Sequence, residues 1–312
     1  MSGLELSKLY YEKCGLKAFD VFGENILSRL AFGMFGKGSE CFGFDDYVST
    51  DHDFEPGFIV VVPDDFDEKI TFQLTRAYAK MPREFMGYKR EVMSAVGGSR
   101  HGIKKMADVI YEFTGTLECN LSTKDWLLIP EESLAEFTNG KIFRDDSKIL
   151  TKYRLKLSTF PHDIFLKKLA GTVLLMAQSG QYNYKRCIMH KELNAARLSA
   201  YEFVKHTIHA TCLFNEVYMP YYKWQFRVLK NLSWPNKYNL DEKLSLLLKI
   251  DDNKLIDMEE VIDEICKVFV ERIMKDNLTN KTCDYLESHA YEINNKIHDI
   301  NLRNMNILAG IN

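Results

Sequence analysis

The stretch Gly38-Ser39-Glu40-Cys41-Phe42-Gly43-Phe44-Asp45-Asp46-Tyr47-Val48-Ser49-Thr50-Asp51-His52-Asp53 decides how this sequence is read. Just beyond it, Gly57-Phe58-Ile59-Val60-Val61-Val62 is a β-branched run closed by Pro63, the best strand in the chain. Side chains two apart on a strand share a face. If Asp51 and Asp53 lead into that strand, their carboxylates lie side by side while His52 points away. Two carboxylates so placed repel each other unless a cation neutralises them. They suit Mg²⁺, a hard ion commonly held by one or two carboxylates plus substrate phosphates. Two such ions about 3.5–4 Å apart clamp the attacking and leaving oxygens of an in-line displacement. Gly38-Ser39 supplies the complementary part: a Gly-Ser turn feeding a helix lets backbone N–H groups approach phosphate oxygens, and the hydroxyl adds a donor.

Each half is common alone, since Asp-x-Asp also marks solvated loops and helix caps. The order of the two, next to an apolar strand, gives them a shared meaning. A calcium loop beginning at Asp51 fails, because it needs Gly at its sixth position and Glu at its twelfth, where this chain has Pro56 and Val62.

Working outward, glycine and proline divide the chain sharply. Gly23, Gly33, Gly36, Gly38, Gly43 and Gly57 crowd one region, whereas no glycine occurs from Gln181 to Ala309 and only Pro220 and Pro235 interrupt. The first half therefore reads as mixed strands and helices, the second as helical. Arg29 to Phe35 is a second apolar run. Lys141–Phe143 and Lys152–Leu157 suggest a hairpin turning at Asp145-Asp146-Ser147. Helices are expected from Pro161 through Met176, capped by His162 or Asp163. Others are expected over Lys191–Val217, Asp241–Lys249, Met258–Met274 and Lys281–Leu308. The fold class is thus α+β, with a mixed sheet and flanking helices over residues 1–160 and a helical bundle over residues 161–312.

Composition narrows the function. The chain has 312 residues, 46% hydrophobic and 27% charged, enough apolar material for two cores. Lys+Arg number 41 against 44 Asp+Glu, a formal charge of -3 that disfavours a nucleic-acid-coating protein. No apolar run is long enough to span a membrane, and Glu5, Lys8, Glu12 and Lys13 break up any signal-peptide core, so the expected location is the cytoplasm. Seven scattered cysteines without a C-x-x-C pair read as reduced thiols behaving as small hydrophobes.

Gly-Ser followed by Asp-x-Asp resembles the signature of the nucleotidyltransferase superfamily, the polymerase-β-like group that includes aminoglycoside nucleotidyltransferases. The second half, with Phe160-Pro161-His162-Asp163-Ile164, Leu169-Ala170, Gln178-Ser179-Gly180-Gln181 and Pro220-Tyr221-Tyr222-Lys223-Trp224, resembles an uncharacterised bacterial family. That family carries a helical domain of unknown function behind a nucleotidyltransferase-like domain. The first resemblance implies Asp51 and Asp53 as catalytic Mg²⁺ ligands, with Gly38 and Ser39 holding the phosphates of a nucleoside triphosphate. It also implies a third carboxylate on a neighbouring strand. Glu55, which falls on the same strand face, is one candidate; Glu118, Asp146 and Asp163 depend on the fold.

The helical half offers a second constellation, with Tyr182, Tyr184, Lys185 and Arg186 in one segment and Tyr218 to Trp224 in another. Lys185, Arg186 or Lys223 would meet a triphosphate as it loses pyrophosphate, and the aromatics would stack on a ring. Equally, aromatics fill interhelical cores and lysines snorkel outward. His206 and His209 lack the carboxylate spacing of a zinc enzyme and read as surface or satisfied core residues. His101 follows Gly97-Gly98-Ser99-Arg100, which lacks a P-loop ending and reads as a turn before a strand.

The expected activity is Mg²⁺-dependent transfer of a nucleoside monophosphate from an NTP to a hydroxyl of an unidentified acceptor, a small molecule rather than RNA or protein. The helical domain would choose the acceptor across a cleft. The alternative is a catalytically inactive nucleotide-binding or sensing module of the same fold.

Overall fold

The computed structural model describes residues 1–50, 54–90, 100–117, 120–236, 238–249 and 257–311. The fold is α+β, with a mixed four-stranded sheet and flanking helices. The chain divides into two compact units. One comprises residues 1–121 and 131–158, the other residues 122–130 and 159–312.

The first unit is built on the sheet. Its strands are β1 (Ala31–Met34), β2 (Ile59–Val62), β3 (Gly102–Lys105) and β4 (Lys141–Asp145), in the spatial order β3-β2-β1-β4. Strand β1 pairs antiparallel with both β2 and β4, while β2 and β3 run parallel. The two apolar runs become the central strands, each buried along its whole length, as a sheet covered on both faces requires. The pairing of β1 with β4 slips between Phe32 and Gly33, and a Cβ on Gly33 would lie 2.8 Å from the Lys141 carbonyl oxygen. Glycine is needed there because the partner backbone comes so close.

Helix α1 (Gly3–Tyr10) begins with a reciprocal cap. Ser2 Oγ accepts from the Glu5 amide at 3.2 Å, and the Glu5 carboxylate accepts from the Ser2 amide at 2.8 Å. Its Tyr10 ring, with Tyr11, Phe19, Phe32 and Tyr78, surrounds Phe58 at centroid distances of 5.2–6.4 Å. This aromatic cluster is the core under the sheet. Tyr78, on helix α3 (Glu68–Ala79), also donates its hydroxyl to Phe58 O at 2.9 Å and accepts from Phe58 N at 3.0 Å. Burial pushes its phenol well above the usual range. The backbone just before β2 is thereby fixed from beneath. Helix α2 (Ser39–Phe42) is a single turn after β1.

The expected hairpin forms only one arm. Lys141–Asp145 is strand β4, but Lys152–Leu157 falls in a helix spanning Ile149–Lys156. The Asp145 carboxylate accepts from Leu150 N (3.1 Å), Thr151 N (2.7 Å) and Thr151 Oγ1 (2.8 Å). That cap satisfies the orphan amides of a helix start and overrides the alternation of Tyr153, Leu155 and Leu157.

The described elements of the second unit are helices. His162–Met176 starts at Pro161 without a side-chain cap. The Asp163 carboxylate, an expected cap, instead accepts from the amides of His298 (3.2 Å) and Asp299 (2.8 Å). Leu193–Phe214 and Met258–Lys275 match their expected helices closely. The expected helix over Lys281–Leu308 breaks into Leu286–Asn295 and Ile300–Asn304, because Asp299 caps the second by accepting from Asn301 N and Leu302 N. Two buried lysines tie the C-terminal segment down. Lys167 donates to Met305 O at 2.9 Å and Asn294 Oδ1 at 3.0 Å, and Lys168 to Gly310 O at 2.8 Å. No described helix is long and apolar enough to cross a membrane.

Candidate functional site

Strand direction sets the site before any side chain is considered. Because β1 and β2 are antiparallel, the end of β1 lies beside the start of β2, with Gly33 opposite Ile59. Because β2 and β3 are parallel, the start of β3 lies there too, with Ile59 opposite Gly102. Strand β4 also begins at this end, with Lys141 opposite Met34. One end of the sheet thus gathers the loop after β1 (residues 35–39), the segment before β2 (54–58), Arg100-His101 before β3, and Asn139-Gly140 before β4.

Gly38 and Ser39 stand at this end. Gly38 is extended and precedes the turn of α2 as its N-cap, and the half-buried Ser39 hydroxyl lies 3.2 Å from Ser49 Oγ. Asp51 and Asp53 lie outside the described residues, and so does Glu118. Among the described residues no group of three His, Cys, Asp or Glu side chains is arranged to hold a metal. Glu55 is not on a strand face, since β2 begins only at Ile59; its carboxylate instead lies 3.0 Å from His101 Nδ1. Asp146 pairs with Arg144, and Asp163 belongs to the helical unit.

The loop after β1 is held by its neighbours. Asn139 grips Gly36 with both ends of its amide: Oδ1 accepts from Gly36 N and Nδ2 donates to Gly36 O, each at 2.9 Å. The Gly140 amide donates to Cys41 O at 2.8 Å. Arg154 donates Nη2 to the carbonyls of Thr138 and Asn139 and lays its guanidinium 5.6 Å from the Phe35 ring centroid. Burial lowers its pKa to about 10. Glu136, on the helix Glu131–Thr138, has its pKa raised to about 7, first by burial; nearby Lys37 opposes the shift, and Glu132 and Glu112 add to it.

Two residues that the sequence reading placed in a turn before a strand, and gave no role, lie at this end. Arg100 forms an ion pair with Glu40, whose side chain is only 10% exposed, and a Cβ on Gly38 would run into both partners. His101, buried, sits over Gly57 in the same way, for a Cβ there would lie 2.5 Å from the imidazole Cγ. Two consecutive residues thus each cover a glycine and each reach a glutamate. The pair of glycines is a sequence signal for such contacts, since glycine can mark places where another group comes close.

In the helical unit, Lys185 pairs with Glu259 at 3.2 Å, Arg186 lies 5.2 Å from the Tyr182 ring centroid, and Lys223 Nζ lies 4.9 Å from that of Trp224. All three basic residues are exposed. Tyr184, Tyr218 and Trp224 are buried, as core aromatics are, whereas Tyr182, Tyr221 and Tyr222 are exposed. His206 and His209 are buried. His209 Nδ1 lies 3.0 Å from Thr172 Oγ1, and His206 Nε2 lies 3.3 Å from Glu202. A cavity of about 390 Å³ opens among Phe160, Phe165, Tyr218, Glu216, Arg272 and Asp276. Of the cysteines, Cys41, Cys212 and Cys266 are buried thiols and Cys283 is exposed, while Cys119 lies outside the described residues.

A family model for a domain of unknown function (DUF4037) matches residues 126–225. The matched stretch contains all four segments of the second half that carry the resemblance, from Phe160 to Trp224. It also contains Asn139 and Arg154, which hold the loop after β1. No match is found among curated proteins.

Proposed function

We propose that this chain is a Mg²⁺-dependent nucleotidyltransferase of the polymerase-β-like type, moving a nucleoside monophosphate from an NTP to a hydroxyl of a small acceptor. The observation that carries the reading is the meeting of Gly38-Ser39, the segment that follows Asp51 and Asp53, and Arg100 at one end of the sheet. The donor set there suits a triphosphate: half-buried backbone amides, a serine hydroxyl and a guanidinium. Asp51 and Asp53 would hold Mg²⁺, which neutralises charge on the triphosphate.

An acceptor hydroxyl attacks the α-phosphorus, the bond from that phosphorus to the β-phosphate oxygen breaks, and pyrophosphate leaves. Glu55, whose carboxylate lies 3.0 Å from His101 Nδ1 at this end of the sheet, would take the hydroxyl proton. The protein contributes positioning and fixed charge, the usual currency of phosphoryl-type transfer. The 390 Å³ cavity of the helical unit, with its aromatic walls, is of small-molecule size and supports a small acceptor.

A second reading rests on a specific observation. Strand β3 reads Gly-Ile-Lys-Lys and offers no carboxylate, while Asp145 on β4 is used to cap a helix. A module that binds nucleotide without turnover needs no third carboxylate. α-Labelled NTPs with an acceptor panel separate the two. Label transfer with stoichiometric pyrophosphate supports the transferase, and tight binding without turnover supports the sensor. Failure of Mg²⁺-ATP and Mg²⁺-GTP to bind at all, with wild type and an Asp51→Ala, Asp53→Ala variant alike in calorimetry, overturns both.

A further inference from the structure

We infer that the groove between helix α3 and residues 11–22 is a docking surface for an acidic peptide segment that carries apolar side chains. The assignment goes beyond the nucleotide reading and holds whether or not the chain turns over a nucleotide.

The groove lies wholly within the first unit and measures about 880 Å³. Two pairs of cations edge it. Lys13 and Lys17 sit four apart, on a π-helical turn (Tyr11–Gly15) and the α-helical turn that follows it (Leu16–Phe19). Arg76 and Lys80 sit four apart at the end of α3, which packs against that second turn. All four are exposed, and none forms an ion pair with a described carboxylate. Residues four apart on a helix are neighbours, so each pair sets like charges side by side, which is unfavourable until an anion comes between them. In a chain whose formal charge is -3, this clustering of positive charge marks a place for a negative partner.

Between the two cationic edges the floor is apolar. Ala18, Phe22 and Ala77 are half-buried against the aromatic core, and Met81 is buried within it. Val21, also along the groove, is 82% exposed. A Cβ on Gly15 would lie 2.7 Å from Phe58, so glycine there lets this wall lie tight on the core. The Tyr10 hydroxyl donates to Pro82 O at 2.6 Å and ties the two walls together. The groove is therefore formed before anything enters it, and docking costs little reordering of the protein.

That combination selects among anions. Single-stranded nucleic acid needs stacking faces as well as cations, and this floor is mostly aliphatic. Inorganic phosphate would leave the floor uncovered. An acidic peptide with apolar side chains meets both features, its carboxylates reaching the lysines and the arginine while its aliphatic groups cover the floor. This is the groove mode by which amphipathic helices are commonly recognised.

The test is fluorescence anisotropy of the full chain with a labelled helical peptide built of leucine, alanine and glutamate. The comparison probes are the same peptide with glutamine for glutamate, a single-stranded RNA of equal charge, and vesicles of phosphatidylcholine and phosphatidylserine. The acidic peptide is expected to bind, more weakly as salt rises, and the comparison probes to bind at least about 10-fold more weakly. Lys17→Glu together with Arg76→Glu should weaken peptide binding about 10-fold or more, and thermal melting should stay near that of the wild type because both side chains are exposed. Val21→Ser should weaken it about 3–10-fold through the lost apolar contact. The assignment is overturned if the wild type does not bind the acidic peptide, or if RNA or vesicles bind as tightly. It is equally overturned if the charge-reversed variant or Val21→Ser binds the peptide like the wild type.

Discussion

Replacing Asn139 by alanine tests how the loop after β1 is held. Its amide makes two hydrogen bonds to Gly36, one as acceptor from the amide and one as donor to the carbonyl, both at 2.9 Å. Each is worth about 1 kcal/mol net, and Gly36 is buried, so its backbone groups cannot simply turn to water. The expected loss is about 2 kcal/mol of stability. For a unit of ~150 residues that lowers the melting temperature by about 4–8 °C. Asn139→Asp separates the two bonds, because it keeps the acceptor for Gly36 N and loses the donor to Gly36 O; it should fall between. Differential scanning calorimetry reads the stability, and hydrogen exchange at Gly36 and Lys37 reads the loop. A melting temperature within 1 °C of wild type, with exchange unchanged, would refute the view that Asn139 fixes this turn.

Further expectations concern charge and close packing. Glu136 has a folded pKa of about 7 against an ordinary 4.5, so the folded state holds its proton more tightly than the unfolded chain. Stability should therefore fall as pH rises from about 4.5 to 7, and Glu136→Gln should flatten that slope in denaturant titrations. His206 shifts the other way, down to about 3, chiefly through burial and secondarily through His209 and Lys205. Its contribution is intact above about 6.5 and is lost as pH falls toward 3; His206→Gln should resist acid better than wild type. Gly57→Ala pushes a Cβ against the His101 ring and should cost about 1–3 kcal/mol. A double variant with His101→Ala should lose less than the sum of the two single changes, as chemical denaturation would show.

Much of the fold could be read from local pattern. The β-branched run before Pro63 became the central strand β2, the glycine-free stretch became helices, and Gly38-Ser39 opened a turn of helix after β1. What escaped was settled by contacts at a distance or by a single polar side chain. Asp145 turned an alternating segment into a helix, and Asp299 split one helix into two. Arg100 and Glu40 are 60 positions apart, and no periodicity joins them. They meet because β2 and β3 run parallel, and pairing order is not written in either strand. Asn139 reaches Gly36 for the same kind of reason, through the antiparallel pairing of β4 with β1. The two glycines beneath Arg100 and His101 were visible in the sequence; what leans on them was not.

A structure determined with Mg²⁺ and a non-hydrolysable nucleoside triphosphate asks the decisive question. The account predicts phosphate oxygens against the Gly38 and Ser39 backbone, and divalent ions between those oxygens and the carboxylates of Asp51 and Asp53. A nucleotide bound away from this end of the sheet, or Asp51 and Asp53 directed apart with no ion between them, would contradict it.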